Sequence, residues 1–199
     1  MSRNKRLSLR HSRGVVMLLC LVVLVILLAG GVAVIRSMNT SLFTAGNLAF
    51  RRDLVNQGEQ AVATILAQFK SGGVLATATT TDLPAANYKA SMLATNAQGV
   101  PTVLIDDSTF SSGAGTAADL TGGTPDVKIR YVVDRLCATG TGAASSTNCI
   151  QSSGAPSGGT AGPVAPPTPP TATVYRVSVR VTGARNTRVF LQSSITKPD

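Results

Sequence analysis

Residues 15–35 read VVMLLCLVVLVILLAGGVAVI, a run of 21 residues without a charged or strongly polar side chain. On an α-helix that rises about 1.5 Å per residue, such a run reaches about 30 Å, the thickness of the hydrocarbon core of a bilayer. A helix buried against a soluble domain would show polar side chains every three or four residues, and this run shows none. The sequence therefore predicts one membrane-spanning helix near the N-terminus.

The residues before this run predict its orientation. Five basic side chains and no acidic one precede it, namely Arg3, Lys5, Arg6, Arg10 and Arg13. Clustered Lys and Arg next to an apolar helix hold that end of the helix on the cytoplasmic side. We therefore expect a single-pass protein whose chain after residue 35 lies outside the cytoplasm.

The distribution of charge argues against a nucleic-acid partner. The net charge is +9, but residues 1–52 hold eight Lys/Arg and no Asp/Glu, whereas residues 53–199 hold ten basic and nine acidic residues. A nucleic-acid-binding domain carries its basic patch on the folded domain, usually with aromatic side chains that stack on bases. We expect no nucleic-acid binding, and we interpret the arginines of residues 174–188 as a solvated strand face.

The cysteines agree with an oxidising environment for the C-terminal part. Cys137 and Cys149 bracket a segment, ATGTGAASSTN, that has almost no side chain to pack. Outside the cytoplasm, a disulfide between them is the simplest interpretation, and it would stabilise the fold by about 3 kcal/mol in the chain-entropy model. A zinc site lacks ligands, because the only histidine, His11, lies on the other side of the membrane.

Helical signals continue beyond the apolar run. No proline occurs before Pro84, and apolar residues recur at helical spacing as far as Phe69. The sequence predicts one helix from 15 to 70, which ends at a Ser-Gly-Gly signal and whose outer half is amphipathic, with Gln57 on its wet side. Gly46 and Gly58 each cost about 1 kcal/mol in a helix interior, which favours bending or fraying there.

The C-terminal half shows strand patterns. Short strands are predicted at 88–93 and 102–106, turns at 108–125 and a clear strand at 126–134. Residues 174–183 and 187–195 form a predicted hairpin, with Val177, Val179 and Val181 on one face and Arg176 and Arg180 on the other. Residues 138–173 are low in complexity and rich in proline. The expected fold is α+β, with the long N-terminal helix packed on a small antiparallel sheet.

No catalytic constellation emerges from the sequence. The chain outside the membrane lacks histidine and any GxSxG, HExxH or Walker motif, so we expect neither an enzyme nor a cofactor. Its main acidic residues are Asp106, Asp107, Asp119, Asp126 and Asp134. Their spacing does not match a calcium-binding loop, and we interpret them as scattered surface carboxylates rather than metal ligands.

The junction Arg13-Gly14-Val15 introduces a recognisable arrangement. A short basic leader, a glycine and an apolar helix that continues into an amphipathic one resemble type IV prepilins, in particular the PilX-type pilus assembly proteins, which are minor pilins. The resemblance rests on RGVVMLLCLVVLVILL, SMNTSLFTAGNLAFRRD and QGEQAVATIL within residues 13–66, and more loosely on VYRVSVRVTG and VFLQSS. It implies a pilin-like fold, with a leader at 1–14, a membrane-spanning half-helix at 15–35, an amphipathic half-helix at 36–70 and a periplasmic domain at 71–199.

The resemblance also implies a processing site. An inner-membrane prepilin peptidase would cleave after Gly14 and leave Val15 as a methylated N-terminus. A glycine suits such a site because its backbone can approach the protease closely. Most pilins carry a glutamate at the fifth mature position, which neutralises a neighbour's terminal amine; here that residue is Leu19.

The implied function is that of a minor pilin-like structural subunit that primes or caps a type IV pilus. Its partners would be the major and minor pilins, reached through the N-terminal helix, first in the bacterial inner membrane and then in the pilus, at its tip. Other interpretations remain open. The chain is alternatively a surface-displayed adhesin or ligand-binding module, a plain signal-anchored protein, or a periplasmic protein secreted after removal of a signal peptide.

Overall fold

The computed structural model describes residues 13–77, 80–140, 144–152 and 172–198. In chain order it contains α1 (Arg13–Ala67), β1 (Tyr88–Lys89), α2 (Thr102–Ile105), α3 (Asp107–Gly113), β2 (Leu120–Thr121), β3 (Lys128–Arg135), β4 (Gln151–Ser152), β5 (Ala172–Thr182) and β6 (Arg188–Pro198). The chain divides into two compact units, Met1–Phe50 and Arg51–Asp199, and the boundary falls within α1. We refer to them as the first unit and the second unit.

The described part of the first unit is α-helical throughout. It contains the apolar run, and none of the most apolar stretch of the helix is buried. By length and composition this is the one helix, among the described residues, that could cross a membrane. The predicted membrane-spanning segment is thus a helix with its apolar side chains exposed, as a membrane anchor requires.

In the second unit, α1 buries one face. Leu54, Ala61 and Ile65 are buried, and their spacing places them on one side of the helix together with Gly58. The sequence placed Gln57 on the solvent-facing side of α1, and this prediction is wrong. Gln57 is buried because its amide donates to Asp53 and its carbonyl oxygen accepts from the backbone N–H of Gly123. A polar side chain can be buried when both ends of its amide are hydrogen-bonded.

The helix ends three residues earlier than the sequence predicts. α1 stops at Ala67, and the backbone then continues in tight turns in which the N–H of Gln68 donates to the carbonyl of Ile65. The glycine signal is correctly placed, since Gly72 adopts a φ of +86° and a Cβ on Gly73 would lie 2.1 Å from the carbonyl oxygen of Gln68. Only glycine fits a backbone approach this close.

The sheet is mixed rather than purely antiparallel. β3, β5 and β6 form its antiparallel part, with β6 at one edge, Tyr131 opposite Val179, and Val179 opposite Leu191. At the other edge β1 runs parallel to β3, while β2 pairs antiparallel with the start of β3. The α+β class and the β5–β6 hairpin are confirmed. The predicted strand at 88–93 is present only at its first two residues, and its parallel pairing with β3 was not predicted, because the direction of pairing leaves no periodic signal in the sequence.

The predicted strand at 102–106 is wrong, and the predicted turns at 108–125 are only partly right. Residues 102–105 form α2, and α3 follows it after Asp106, whose side chain accepts a hydrogen bond from the N–H of Ser108. Leu104 and Phe110 then pack against Val132 of β3. A run of five residues such as TVLID fits either helix or strand by pattern, and contact with the sheet decides between them.

Both faces of the sheet are therefore covered in the second unit. The odd-numbered residues of β5 lie towards α1, and one of them, Tyr175, meets Phe69 just after the end of the helix, edge-on at 5.6 Å between ring centres. The even-numbered residues lie towards residues 93–119, a segment we call the strap. The sequence predicted one apolar face only, so the covered second face is a correction.

Candidate functional site

The predicted processing site lies at the start of α1. Gly14 and Val15 are both helical, and Val15 is exposed. Nothing lies within 4 Å of the position that a Cβ on Gly14 would occupy. Leu19 follows one turn after Val15 on the same side of the helix and is also exposed. The rest of the predicted leader, residues 1–12, lies outside the described residues.

The exposed apolar surface of the first unit is continuous. From Val15 to Ile35, every large aliphatic side chain is between 45% and 79% exposed. No acidic residue occurs before Asp53, and the next basic residue after the run is Arg36. A surface of this kind is stable only in lipid or against other apolar helices, because exposure of so much apolar area to water is unfavourable.

The second unit contains the predicted disulfide. Cys137 and Cys149 are joined, with 2.09 Å between the two sulfur atoms, and they face each other across an isolated antiparallel bridge. Both are buried, whereas Cys20 in the apolar helix is free and exposed. The bond ties the end of β3 to β4 and closes the segment between them. Residues 153–171, most of the predicted low-complexity loop, lie outside the described residues.

The arginines of β5 do not form the solvated face that the sequence predicts. Arg176 makes a bidentate ion pair with Asp134, at 2.9 Å from Nε to Oδ1 and 2.5 Å from Nη2 to Oδ2. Asp134 is completely buried and also accepts from the N–H of Leu93. Asp134 is thus no surface carboxylate. It bonds both the neighbouring strand and the strap.

A second cluster brings two arginines to one carboxylate. Arg130 and Arg180 lie directly opposite each other on β3 and β5, a like-charge pair that destabilises a sheet unless it is neutralised. Asp107 supplies the neutralising charge, since it pairs with Arg180 and lies 2.7 Å from Nη1 of Arg130. Asp119 completes the cluster with a bidentate contact to Arg130.

Guanidinium groups also hold the backbone of the strap. Arg176 donates to the carbonyl of Leu93, Arg180 to that of Leu104 and Arg188 to that of Ile105. These three carbonyls belong to irregular or short helical parts of the strap. These hydrogen bonds from the arginines of β5 and β6 hold the strap against the sheet, so these side chains have a structural role.

The pKa shifts follow from these contacts. The hydrogen bond from Arg180 lowers the pKa of Asp107 below its usual value. Burial raises the pKa of Asp134, although Arg176 and the N–H of Leu93 act in the opposite direction. Burial also raises the pKa of Tyr131. None of these groups lies with a nucleophile and a base in one cleft, the arrangement that would indicate catalysis.

A cavity of about 450 Å³ lies beside α3 and β2 in the second unit, and its lining includes Phe110, Asp119 and Arg130. Asp119 and Arg130 are bound to each other, and the guanidinium of Arg130 also lies 4.6 Å from the ring centre of Phe110. Among the described residues, no group of three His, Cys, Asp or Glu side chains could hold a metal ion.

Comparison of the chain with protein-family models, with curated proteins and with solved structures finds no match. Its function must therefore be inferred from its own residues. The sequence located the apolar surface and the disulfide, but it missed the ion pairs. One signal was present: Val132, an apolar residue on the same strand face as Arg130, indicated that this face is covered.

Proposed function

We propose that this protein is a minor pilin-like structural subunit that primes or caps a type IV pilus through its N-terminal helix. The observation that carries the proposal is a helix whose charge-free surface begins directly after Gly14 and is exposed along its whole length. Such a surface first faces lipid and then packs against similar helices, since both environments are equally apolar.

The residue at position 19 supports a terminal rather than a repeated place in the filament. In most pilins, a glutamate at the equivalent position neutralises the terminal amine of a neighbouring subunit. Leu19 offers no such charge, and an amine buried without a partner is costly. A subunit of this kind would start or end a row of helices more readily than it would continue one.

The second unit fits a structural role. The arginines of β3 and β5 that face the strap bond to carboxylates and to the strap backbone, and the disulfide suits the oxidising space outside the inner membrane. The proposed topology is a cytoplasmic N-terminus, a periplasmic second unit and later residence at the pilus tip. The partners would be a prepilin peptidase and other pilins.

The mature N-terminus, measured by mass spectrometry of the protein purified from its host, tests the processing step. We expect a chain that begins at Val15 with a methylated amine. Gly14→Leu should block processing, because a bulky side chain keeps the peptidase from the backbone, whereas Gly31→Ala should be processed normally. A start after residue 31 would indicate ordinary secretion, and an intact Met1 would indicate a plain anchor; either result contradicts the proposal.

Counting surface pili separates assembly from adhesion. Deletion of the gene should reduce the number of pili severalfold, and the wild-type gene should restore it. The Leu19→Glu variant should enter pilus shafts more often than the Leu19→Gln control, since only the carboxylate can pair with a neighbour's amine. Normal pilus numbers together with lost adhesion would reject the priming role and favour the adhesin.

A further inference from the structure

The strap lies between two short strands that pair with the same edge of β3. β1 precedes the strap and ends opposite Asp134, and β2 follows the strap and begins opposite Ile129. These two points lie about 17 Å apart, because residues in a strand are spaced by about 3.4 Å. Displacement of the strap would therefore break no pairing between the strands of the sheet.

Hydrogen bonds at both ends of the strap limit the part that can move. The N–H of Met92 donates to the carbonyl of Cys137, and the N–H of Ala117 donates to Oδ1 of Asn87. Between these fixed points, α2 and α3 contact each other, and hydrogen bonds within the segment hold it together. We call residues 94–113 the lid, since they form one compact piece that is attached to the sheet through side-chain contacts.

The sheet face towards the lid carries mainly polar side chains. Positions 128–134 of β3 and 176–182 of β5 contribute eight side chains to this face, and Val132 is the only apolar one. The others are Lys128, Arg130, Asp134, Arg176, Ser178, Arg180 and Thr182. In the lid, Leu104 and Phe110 pack against Val132. Opening of the lid would therefore expose little apolar surface on the sheet, so its free-energy cost is small compared with that of global unfolding.

One carboxylate of the lid makes its main charged contact with the sheet. Asp107 pairs with both Arg180 and Arg130, which lie directly opposite each other on β5 and β3. The side chain of Arg180 is 5% exposed, so water solvates its charge poorly while the lid is closed. Once the lid has moved away, water can hydrate both guanidinium groups, and neither needs the carboxylate. Asp107 therefore stabilises the closed lid and not the open one.

We propose that the lid opens and closes as one body on an intact sheet, and that Asp107 is the latch that holds it closed. Opening breaks the ion pairs of Asp107 and the hydrogen bonds from Arg180 and Arg188 to lid carbonyls. It leaves the ion pair of Asp134 with Arg176 in place, because these two residues lie opposite each other on β3 and β5. The opening concerns the second unit alone and does not depend on entry into a pilus.

Maleimide labelling of a buried cysteine in the full chain, in detergent or lipid nanodiscs, tests the opening. In a Cys20→Ser background, Val132→Cys places a thiol under the lid, whereas Val133→Cys places one on the face towards α1. The two valines are neighbours in β3 and are both completely buried, so the substitutions are matched. We expect the Val132→Cys variant to be labelled at least tenfold faster, because only the lid must move to expose its thiol.

Equal labelling of the two variants, or faster labelling of Val133→Cys, would overturn the proposal. Circular dichroism reports whether each variant is folded. If either valine variant does not fold, Ser178→Cys and Val177→Cys replace the pair. Ser178 is buried on the lid face directly opposite Val132, and Val177 is buried on the face towards α1.

A single charge tests the latch. Asp107→Asn, added to Val132→Cys, should raise the labelling rate about tenfold, since asparagine keeps the shape of the side chain but leaves Arg130 and Arg180 less neutralised. Asp106→Asn is the control, because it removes the same charge one residue earlier and asparagine is an equally good N-cap for α3. Its labelling rate should stay within twofold. An unchanged rate with Asp107→Asn, or an equal rise with both substitutions, would overturn the role of Asp107 as the latch.

Discussion

At the scale of single residues, the second unit depends on charges placed where they are difficult to solvate. Asp134 is completely buried and the side chain of Arg176 is 11% exposed, so water solvates neither charge well and each is neutralised mainly by the other. A buried pair of this kind contributes little net stability when intact, because desolvation offsets the attraction. Loss of one partner is far more costly, since it leaves an uncompensated charge.

Arg176→Met should therefore lower the free energy of unfolding by about 3–5 kcal/mol at pH 7. The loss should be smaller at pH 4. Burial already raises the pKa of Asp134, and without Arg176 the pKa rises further. When the pKa of a carboxyl is higher in the folded than in the unfolded state, the folded state keeps its proton up to a higher pH. Stability therefore falls as pH rises from the unfolded-state pKa to the folded-state pKa. Urea denaturation of the full chain at both pH values measures the difference.

The matched control is Lys89→Met, which breaks the ion pair with Asp82. Both side chains of that pair are partly exposed, so its removal should cost less than about 1 kcal/mol. A loss of similar size in both variants would show that Asp134 is not held in a poorly solvated environment.

At the scale of elements, the packing of α1 on the sheet depends on a glycine. Glycine in a helix interior is unfavourable on propensity alone, and the sequence therefore indicated bending or fraying at Gly58. The helix is continuous there. A Cβ at this position would lie 2.6 Å from Cδ1 of Leu191 and 2.9 Å from Cγ2 of Val181. The glycine allows the helix to approach the sheet closely.

Gly58→Ala should thus destabilise the second unit, although alanine is the better helix former. Overpacking costs about 1–3 kcal/mol and exceeds the gain of about 1 kcal/mol in helix propensity. Gly46→Ala is the control, because nothing lies within 4 Å of its Cβ position, and it should cause no loss. Thermal unfolding followed by circular dichroism distinguishes the two, and a Gly58→Ala variant as stable as the wild type would contradict the close approach.

At the scale of the whole molecule, the chain combines two units with opposite requirements. The described part of the first unit exposes a continuous apolar helix and has no core of its own, whereas the second unit has a core on both faces of its sheet. The disulfide between Cys137 and Cys149 belongs to the second unit alone. One unit is therefore stabilised by its surroundings and the other by internal contacts.

Two charges in the apolar helix should release the protein from the membrane. Arginine near the centre of a spanning helix costs about 3 kcal/mol, so Leu24→Arg with Leu27→Arg should shift the protein from the pellet to the supernatant after alkaline extraction. Leu24→Ala with Leu27→Ala should remain in the pellet. Release of the wild-type protein would show that the helix does not anchor it.

The sequence by itself determined the features whose signals are local. The long apolar helix follows from one uninterrupted run, the β5–β6 hairpin from two alternating segments, and the disulfide from two cysteines around a segment without packing side chains. Each of these depends on residues near one another in the chain, where periodicity and composition carry the information.

Only the tertiary structure decided what covers the second face of the sheet. The ion pairs of Arg176 with Asp134 and of Arg180 with Asp107 join residues 42 and 73 positions apart, and no local pattern links them. Long-range contacts with β3 also decided that residues 102–105 form α2 instead of the predicted strand, and that the strand beginning at Tyr88 pairs parallel with β3. An arginine that alternates with valine reads as solvent-facing until another part of the chain supplies its carboxylate, because burial of a charge is favourable only after its partner is in place.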